Sequence, residues 1–472
     1  MKTSSITIGL TALMVLTLFA VSNFGLVTYF LAITLIGFLV LFLANSNLIN
    51  IAFLVFLPTN DIFHKEDFLF SFLGLKQILA SFVILFFLKN WRYIKPRYSA
   101  IRSSKKYKHL LGALDTILIV LIFYFNYTYF KNAFFGIHGY SIESAVLKSI
   151  NMTLQLMACL CVIRTALCKM QLQQINSVMI SSITLMIIFS AFSPLLPSLG
   201  FRSLGTEKSE FEQVGFERFS GIVADGDSNT LSVYLTLAVG ICLLFYIYYQ
   251  KKIYILYPVP LIILIGIAGS RTGIIALVVM LLVFFALVKN QHSSRTKIQL
   301  LLFLPFIIVV SIPFFELIIN RFELINEQFD INSTSNRIGK WALYVTFLWQ
   351  HKTYLLTGAR SELLISWDSQ YYSAHNAFIT ITYNSGLLFS LAFLTSIGLF
   401  IWFSYKNKMY EHLMISIPSF ILMNTVSDLG IIYSMLLFSI ILIRNRFFFE
   451  YRNFRAKMGN PEKMKNALVT SP

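Results

Sequence analysis

Three places in this chain hold side chains that an apolar environment has no packing use for. In Gly269-Ser270-Arg271-Thr272-Gly273, Arg271 is the only charged residue between Ile253 and Val288. In Asn332-Ser333-Thr334-Ser335-Asn336-Arg337, a second arginine follows a run of helix N-cap candidates. A cation at a helix N-terminus opposes the helix dipole, unless an anion binds there and takes both the free N–H groups and the guanidinium. In Ser373-Ala374-His375-Asn376, Ser373 is a cap candidate that puts His375 and Asn376 in a first helical turn. A histidine can accept a proton near neutral pH. Arg218, in Phe216-Glu217-Arg218-Phe219-Ser220-Gly221, precedes a glycine-rich polar cluster that leads into another apolar run. Together these residue types suit a phosphorylated lipid held by arginines, a histidine base, and aromatic rings for sugar or apolar surface. The competing readings are an Arg271 that snorkels to lipid phosphate, a solvated Arg337, and a His375 that is simply a polar loop residue. No H-x-x-x-H pair or carboxylate cluster accompanies them, so neither zinc nor magnesium, nor any other cofactor, is expected.

The elements that must carry these residues are membrane spans. Of 472 residues, 57% are hydrophobic and 12% charged, with a mean hydropathy of +0.72, far from the roughly 25% charged residues of a soluble domain. Windows of about 20 apolar residues fall near 6–22, 25–44, 70–88, 110–130, 145–167, 178–197, 230–249, 253–269, 272–288, 298–318, 386–404, 411–427 and 430–443, with a weaker run at 47–58. The expected fold is an all-α, polytopic helical bundle of about 12 to 14 spans. Residues 253–288 as one helix would be about 54 Å long, nearly twice the hydrocarbon thickness, so Gly269–Gly273 reads as the tip of a hairpin. Met1-Lys2 before the apolar run from Ile6 reads as an uncleaved first span. The four cysteines lie in or beside apolar runs and read as packing residues.

The net charge of +17 is an orientation signal rather than a nucleic-acid signal. With both termini cytoplasmic, the inner segments collect Lys89, Arg92, Lys95, Arg97, Arg102 and Lys105–Lys108, then Lys251-Lys252, Lys289–Lys297 and the tail from Arg444. The outer segments take most of the acids. The chain divides into N-terminal spans 1–197, a first outer loop 198–229, central spans 230–318, a large outer loop 319–375, C-terminal spans 376–443, and a basic tail 444–472. In the large loop, Ile338, Trp341, Ala342, Val345, Leu348 and Trp349 recur at helical spacing, which predicts an amphipathic helix at the membrane interface. Trp341, Trp349 and Trp367 serve there either as a glycan surface or as interfacial anchors.

The ordered set of Arg218-Phe219-Ser220-Gly221 with Asp225–Asn229, Ser270–Gly273, Arg337 four residues before Trp341, and His375-Asn376 resembles the O-antigen polymerase and ligase superfamily over roughly residues 200–400. The resemblance implies a metal-independent inverting glycosyltransferase of the bacterial inner membrane. Its donor is an undecaprenyl-diphosphate-linked glycan and its acceptor another glycan or lipid A–core, with a chain-length regulator as a further partner and no nucleic acid. Carried over residue by residue, it gives Arg271 and Arg337 the diphosphate and His375 the acceptor hydroxyl, with Arg218, Asn376, Arg360 and Trp341 as substrate contacts. The chain departs from the family pattern in three places, the first being Asp227-Ser228-Asn229, which lacks the common Pro-Asn. Asn384-Ser385-Gly386 stands where a glutamate often precedes the glycine, and Thr357-Gly358-Ala359-Arg360 stands in place of a proline-led double-glycine motif. Polymerisation of surface polysaccharide, O-antigen or capsule, is the first expectation and ligation to lipid A–core the alternative. A lipid-linked oligosaccharide flippase is the rival from another class. A cell-wall polymerase of the shape, elongation and division type fits the His375-Asn376 pattern less well.

Overall fold

The structure, a computed structural model, describes residues 36–56, 75–134, 141–170, 228–249, 253–268, 271–291, 337–359 and 376–423, a ladder at 206–207 and 218–219, and scattered positions such as Lys251. The expected spans near 6–22, 298–318 and 430–443, most of 178–197, and the basic tail lie outside the described residues. Among the described residues the chain is helical except for that two-residue antiparallel ladder. The helices are α1 (Leu48–Phe56), α2 (Leu75–Lys89), α3 (Trp91–Ser103), α4 (Lys105–Phe134) and α5 (Ile142–Cys168). After the ladder of β1 (Thr206–Glu207) and β2 (Arg218–Phe219) come α6 (Ser228–Tyr249), α7 (Ile253–Leu256), α8 (Pro258–Ala268) and α9 (Arg271–Gln291). The remainder are α10 (Arg337–Gln350), α11 (Lys352–Thr357), α12 (Ala377–Ser385), α13 (Leu387–Lys406) and α14 (Tyr410–Met423).

Among the described residues, three helices are long and apolar enough to cross a membrane: Tyr107–Phe134, Ile142–Cys168 and Leu387–Lys406. The apolar stretches Gln77–Lys89, Leu231–Tyr246, Ile253–Ala268 and Gly273–Ala286 are shorter. Helix is the form such runs must take in hydrocarbon, because it satisfies the backbone within the segment. Their outward faces carry Ile119, Phe123, Leu388, Leu391 and Trp402, all well exposed. That pattern would be a liability in water and is normal against lipid. All four cysteines are buried packing residues.

Side-chain pairs along the helices set their directions. The His109 ring stacks on Phe403 at 4.8 Å and Tyr127 on Phe389 at 5.4 Å, so α4 and α13 are antiparallel. Asn126 donates to Thr153 and Arg164 to Asp115, so α4 and α5 are antiparallel as well. Thr236 donates to the Gly273 carbonyl while Gly240 meets Met280, so α6 and α9 run in parallel. Tyr248 donates to Glu411 while Gly240 meets Met414, so both oppose α14. These directions gather Lys89, Arg97, Arg102, Lys108, Lys169 and Lys406 at one end of the molecule. The starts of α6 and α9, and the end of α4, lie at the other.

Two expectations need correction at the ends of this frame. The basic stretch after Lys89 is not a loop but helix α3, with Ile94 and Tyr98 buried and Pro96 inside it. Its anchor is Asp115 of α4, which pairs with Arg164 at 3.2 Å and Arg102 at 3.8 Å and accepts from the Tyr98 hydroxyl at 3.5 Å. Burial and the facing carboxylate push the Tyr98 hydroxyl up to about 12, so it stays a donor at any physiological pH. Likewise, Gly273 is not part of a hairpin tip. Helix α8 ends at Ala268, α9 begins at Arg271, and Gly273 sits inside the first turn of α9, buried against Ser232 of α6.

Helices α12 and α13 form a tight hairpin. Helix α12 ends at Gly386, whose φ of +87° and ψ of 169° suit glycine alone, and α13 starts at the next residue. Phe378 in the first turn of α12 meets Phe393 of α13 at 6.0 Å, and Ser390 bonds back to the Phe378 carbonyl. A methyl on Gly386 would run into the Leu356 carbonyl at the end of α11. Gly386→Ala should therefore cost at least about 1–3 kcal/mol from backbone strain alone, seen as a lower thermal midpoint of the detergent-solubilised protein. An unchanged midpoint would show that this close crossing does not exist.

Candidate functional site

Two of the arginines singled out by the sequence fall at helix starts. Arg271 is the first residue of α9 and Arg337 the first of α10. Arg218 lies in β2, paired in register with Glu207 of β1, and β2 packs against α8. Arg360 and His375 lie outside the described residues, as does the Asn332–Asn336 cap region. Asn376 is described, and its role is clear.

Asn376, not Ser373, caps α12. Its backbone is extended (φ −150°, ψ 114°), and its Oδ1 accepts from Phe378 N at 3.0 Å and Ile379 N at 3.1 Å. His375 therefore precedes the cap and is not in the first turn. A carboxamide oxygen one residue ahead of the helix reaches both free N–H groups, which is what an N-cap is for. Only 5% of Asn376 is exposed.

The depth of this cap also differs from expectation. Because α12 folds back along α13, its N-terminus points into the bundle. Phe378 lies beside Phe393 and beside Phe420 of α14, at 5.4 Å. Phe393 is about one helical turn inward from Phe389, which stacks on Tyr127 of α4. The first turn of α12 thus sits near the middle of the Tyr107–Phe134 span rather than at the surface of the membrane.

Helix α10 packs directly on α12. Tyr344 meets Tyr383 edge-on at 4.9 Å and Phe347 meets it at 5.8 Å; together with Leu348 and Ala359 they form a separate small core. The expected apolar stripe of α10 is split. Leu348 is buried and Trp341 half-buried, whereas Ala342, Val345 and Trp349 face outward. The buried face instead runs through Tyr344, Phe347 and Leu348, where Tyr344 and Phe347 meet the ring of Tyr383. The outward Trp349, 70% exposed, suits a bilayer interface.

The geometry thus joins the helix of Arg337 to the helix that His375-Asn376 lead into. Arg271 is linked less directly: α9 packs on α14, and α14 supplies the Phe420 that touches Phe378. Among the described residues, no group of histidine, cysteine or carboxylate side chains could hold a metal ion.

A group around the hairpin end escaped the sequence reading. Lys131, near the end of α4, donates to the Ala359 carbonyl at 2.8 Å and, in a short bond, to the Asn384 carbonyl. Thr128 and Ser385 share a hydroxyl bond of 2.8 Å, and Tyr127 donates to the Thr357 carbonyl at 2.7 Å. The Asn384 amide donates to Tyr124 at 3.4 Å. The signal was readable as a polar face: Tyr124, Tyr127, Thr128 and Lys131 recur at helical spacing after the apolar run Ile117–Phe123.

Comparison with protein-family models, with characterised proteins and with solved structures gives no match.

Asn376→Ala should speed amide hydrogen exchange at Phe378 and Ile379 and cost about 1 kcal/mol of stability, whereas Asn376→Ser should retain most of the protection. Equal exchange in all three proteins would mean that the cap bonds contribute nothing.

Proposed function

We propose that this protein is a multi-pass membrane glycosyltransferase of the bacterial plasma membrane. It would act on undecaprenyl-diphosphate-linked oligosaccharide from the extracytoplasmic side and join surface-polysaccharide repeat units. In the reaction, an acceptor sugar hydroxyl attacks the anomeric carbon as the bond to the lipid diphosphate breaks, with inversion. His375 takes the hydroxyl proton, and Arg271 and Arg337 stabilise the charge that grows on the departing diphosphate. Arg218, Arg360, Asn376 and Trp341 are contacts for sugar or phosphate. Ligation to lipid A–core uses the same chemistry with a different acceptor.

The observation that carries this reading is the direct packing of α10, which begins at Arg337, on α12, whose cap Asn376 adjoins His375. Arg337 and Asn376, far apart in the chain, thereby stand at the starts of touching helices. Two further features support it. Arginines open both α9 and α10, where free N–H groups add to their attraction for phosphate. The half-buried Trp341 lies one turn into α10, beyond Arg337.

One observation favours a flippase as the second reading. Short helices that end near the bilayer midplane are a transporter device, and α12 is short and recessed in that way. Purified protein in vesicles loaded with lipid-linked oligosaccharide separates the two: movement of intact lipid between leaflets without new glycosidic bonds supports transport.

His375→Ala should lower transfer by about 10²–10⁴-fold, and Arg271→Ala or Arg337→Ala by about 10²–10³-fold, with the protein still inserted in the membrane. The readout is the ladder of surface-glycan lengths on a gel. A wild-type ladder from well-expressed His375→Ala would remove the histidine from the mechanism. Arg271→Lys tests whether charge suffices without the planar, two-pronged guanidinium.

A further inference from the structure

We propose that Lys131 is the positioning residue of this site, a pin that fixes the helix of Arg337 and the helix after His375 to the bundle at one point. The inference rests on the glycosyl-transfer reading for its consequence in activity, but its geometry stands alone.

Helices α11 and α12 both finish beside the last turns of α4. Each leaves carbonyls without intrahelical partners at its C-terminal end, and each presents the negative end of its dipole there. Lys131 meets both. Its ammonium bonds the Ala359 carbonyl, just past α11, and the Asn384 carbonyl in the last turn of α12. The side chain is buried, with 7% exposed, and its charge also faces the Tyr127 ring at 5.8 Å. A buried ammonium must be matched by acceptors, and these two carbonyls come from segments 25 residues apart in sequence. One cation therefore holds two separate pieces of chain.

The surroundings make the pin exact in register. The Ala359 amide donates to the Tyr383 carbonyl at 2.6 Å, a direct backbone bond between the two segments. Gly358 (φ +78°) lies against the backbone of Asn384 and Ser385, and Gly386 against that of Leu356. Both glycines let the strands of chain touch without side chains between them. Tyr127 and Thr128 add bonds to Thr357 and Ser385 from the same face of α4. A shift of either segment would break contacts to the other.

The pin governs placement because of what extends from it. Arg337 lies at the far end of α10, which joins α11 at His351; the cap Asn376 lies at the far end of α12. Loosening the common point lets both N-termini move relative to each other. Lys131 itself contacts backbone of the loop and hairpin, so it acts through Arg337 and His375 and not on the substrate.

The test compares Lys131→Met, Lys131→Gln, His375→Ala and Lys148→Met in full-length protein reconstituted in membranes. Lys148 is an exposed lysine of α5 and serves as the charge control. Two readouts are taken: kcat and KM for transfer from lipid-linked donor, and the rate of trypsin cleavage after Lys340 and Lys352. Lys131→Met should lower kcat by about a hundredfold, the scale of a small misplacement of reacting groups, and should speed cleavage. Lys131→Gln, which keeps one donor arm, should fall between it and the wild type, and Lys148→Met should match the wild type. Lys131→Met with wild-type cleavage and kcat, while His375→Ala is inactive, overturns the pin and leaves the reaction standing. Loss of activity without faster cleavage also overturns it, because Lys131 would then act on substrate. Faster cleavage in Lys131→Met with an active His375→Ala upholds the pin and rejects the proposed reaction.

Discussion

A helix whose ends are buried in a packed bundle must find partners for its terminal backbone groups without water. This constraint shapes α12 at both ends. At its buried start, the Asn376 carboxamide accepts two of the free N–H groups. At its finish, Lys131 takes the Asn384 carbonyl, and the Tyr383 carbonyl accepts from Ala359. The hairpin of α12 and α13, the attachment of α11, and the contact of α10 with Tyr383 all follow from these terminations.

The same constraint has an electrostatic side. An arginine near low-dielectric surroundings interacts with a phosphate more strongly than one in water. A helix start provides N–H groups of the same sign, as at Arg271 and Arg337. A protein working on a lipid diphosphate under the proposed reaction can then do without a metal ion.

How far the chain could be read depended on how many physical solutions each segment had. Spans such as Ile142–Cys168 and Leu387–Lys406 were legible to within a few residues, because lipid leaves a long apolar run one option. Helix α3 was hidden by its own composition: the buried line of Ile94 and Tyr98, with Ile101 behind them, is short, and basic residues dominate the rest. In α10 the spacing predicted a helix but not its buried face, since tertiary contact with Tyr383 decides which apolar residues turn inward. The cap of α12 was placed early because serine and asparagine are both good caps, and only the extended backbone at Asn376 separates them. The depth of that cap was not legible at all. It depends on the reversal at Gly386, whose left-handed φ is a property of the crossing with Leu356. A lysine near a span end ordinarily snorkels, and the two carbonyls that Lys131 meets come from distant sequence.

The span in α4 has 28 residues, about 42 Å of helix against a hydrocarbon layer of about 30 Å. It must lean or stand proud of the bilayer, and either response changes with lipid thickness. Because α11 and the α12–α13 hairpin are fastened close to its tip, the height of that tip relative to the headgroups sets how deeply they ride. Acyl-chain length in the host membrane thereby becomes a mechanical input to the molecule, delivered through a single overlong rod.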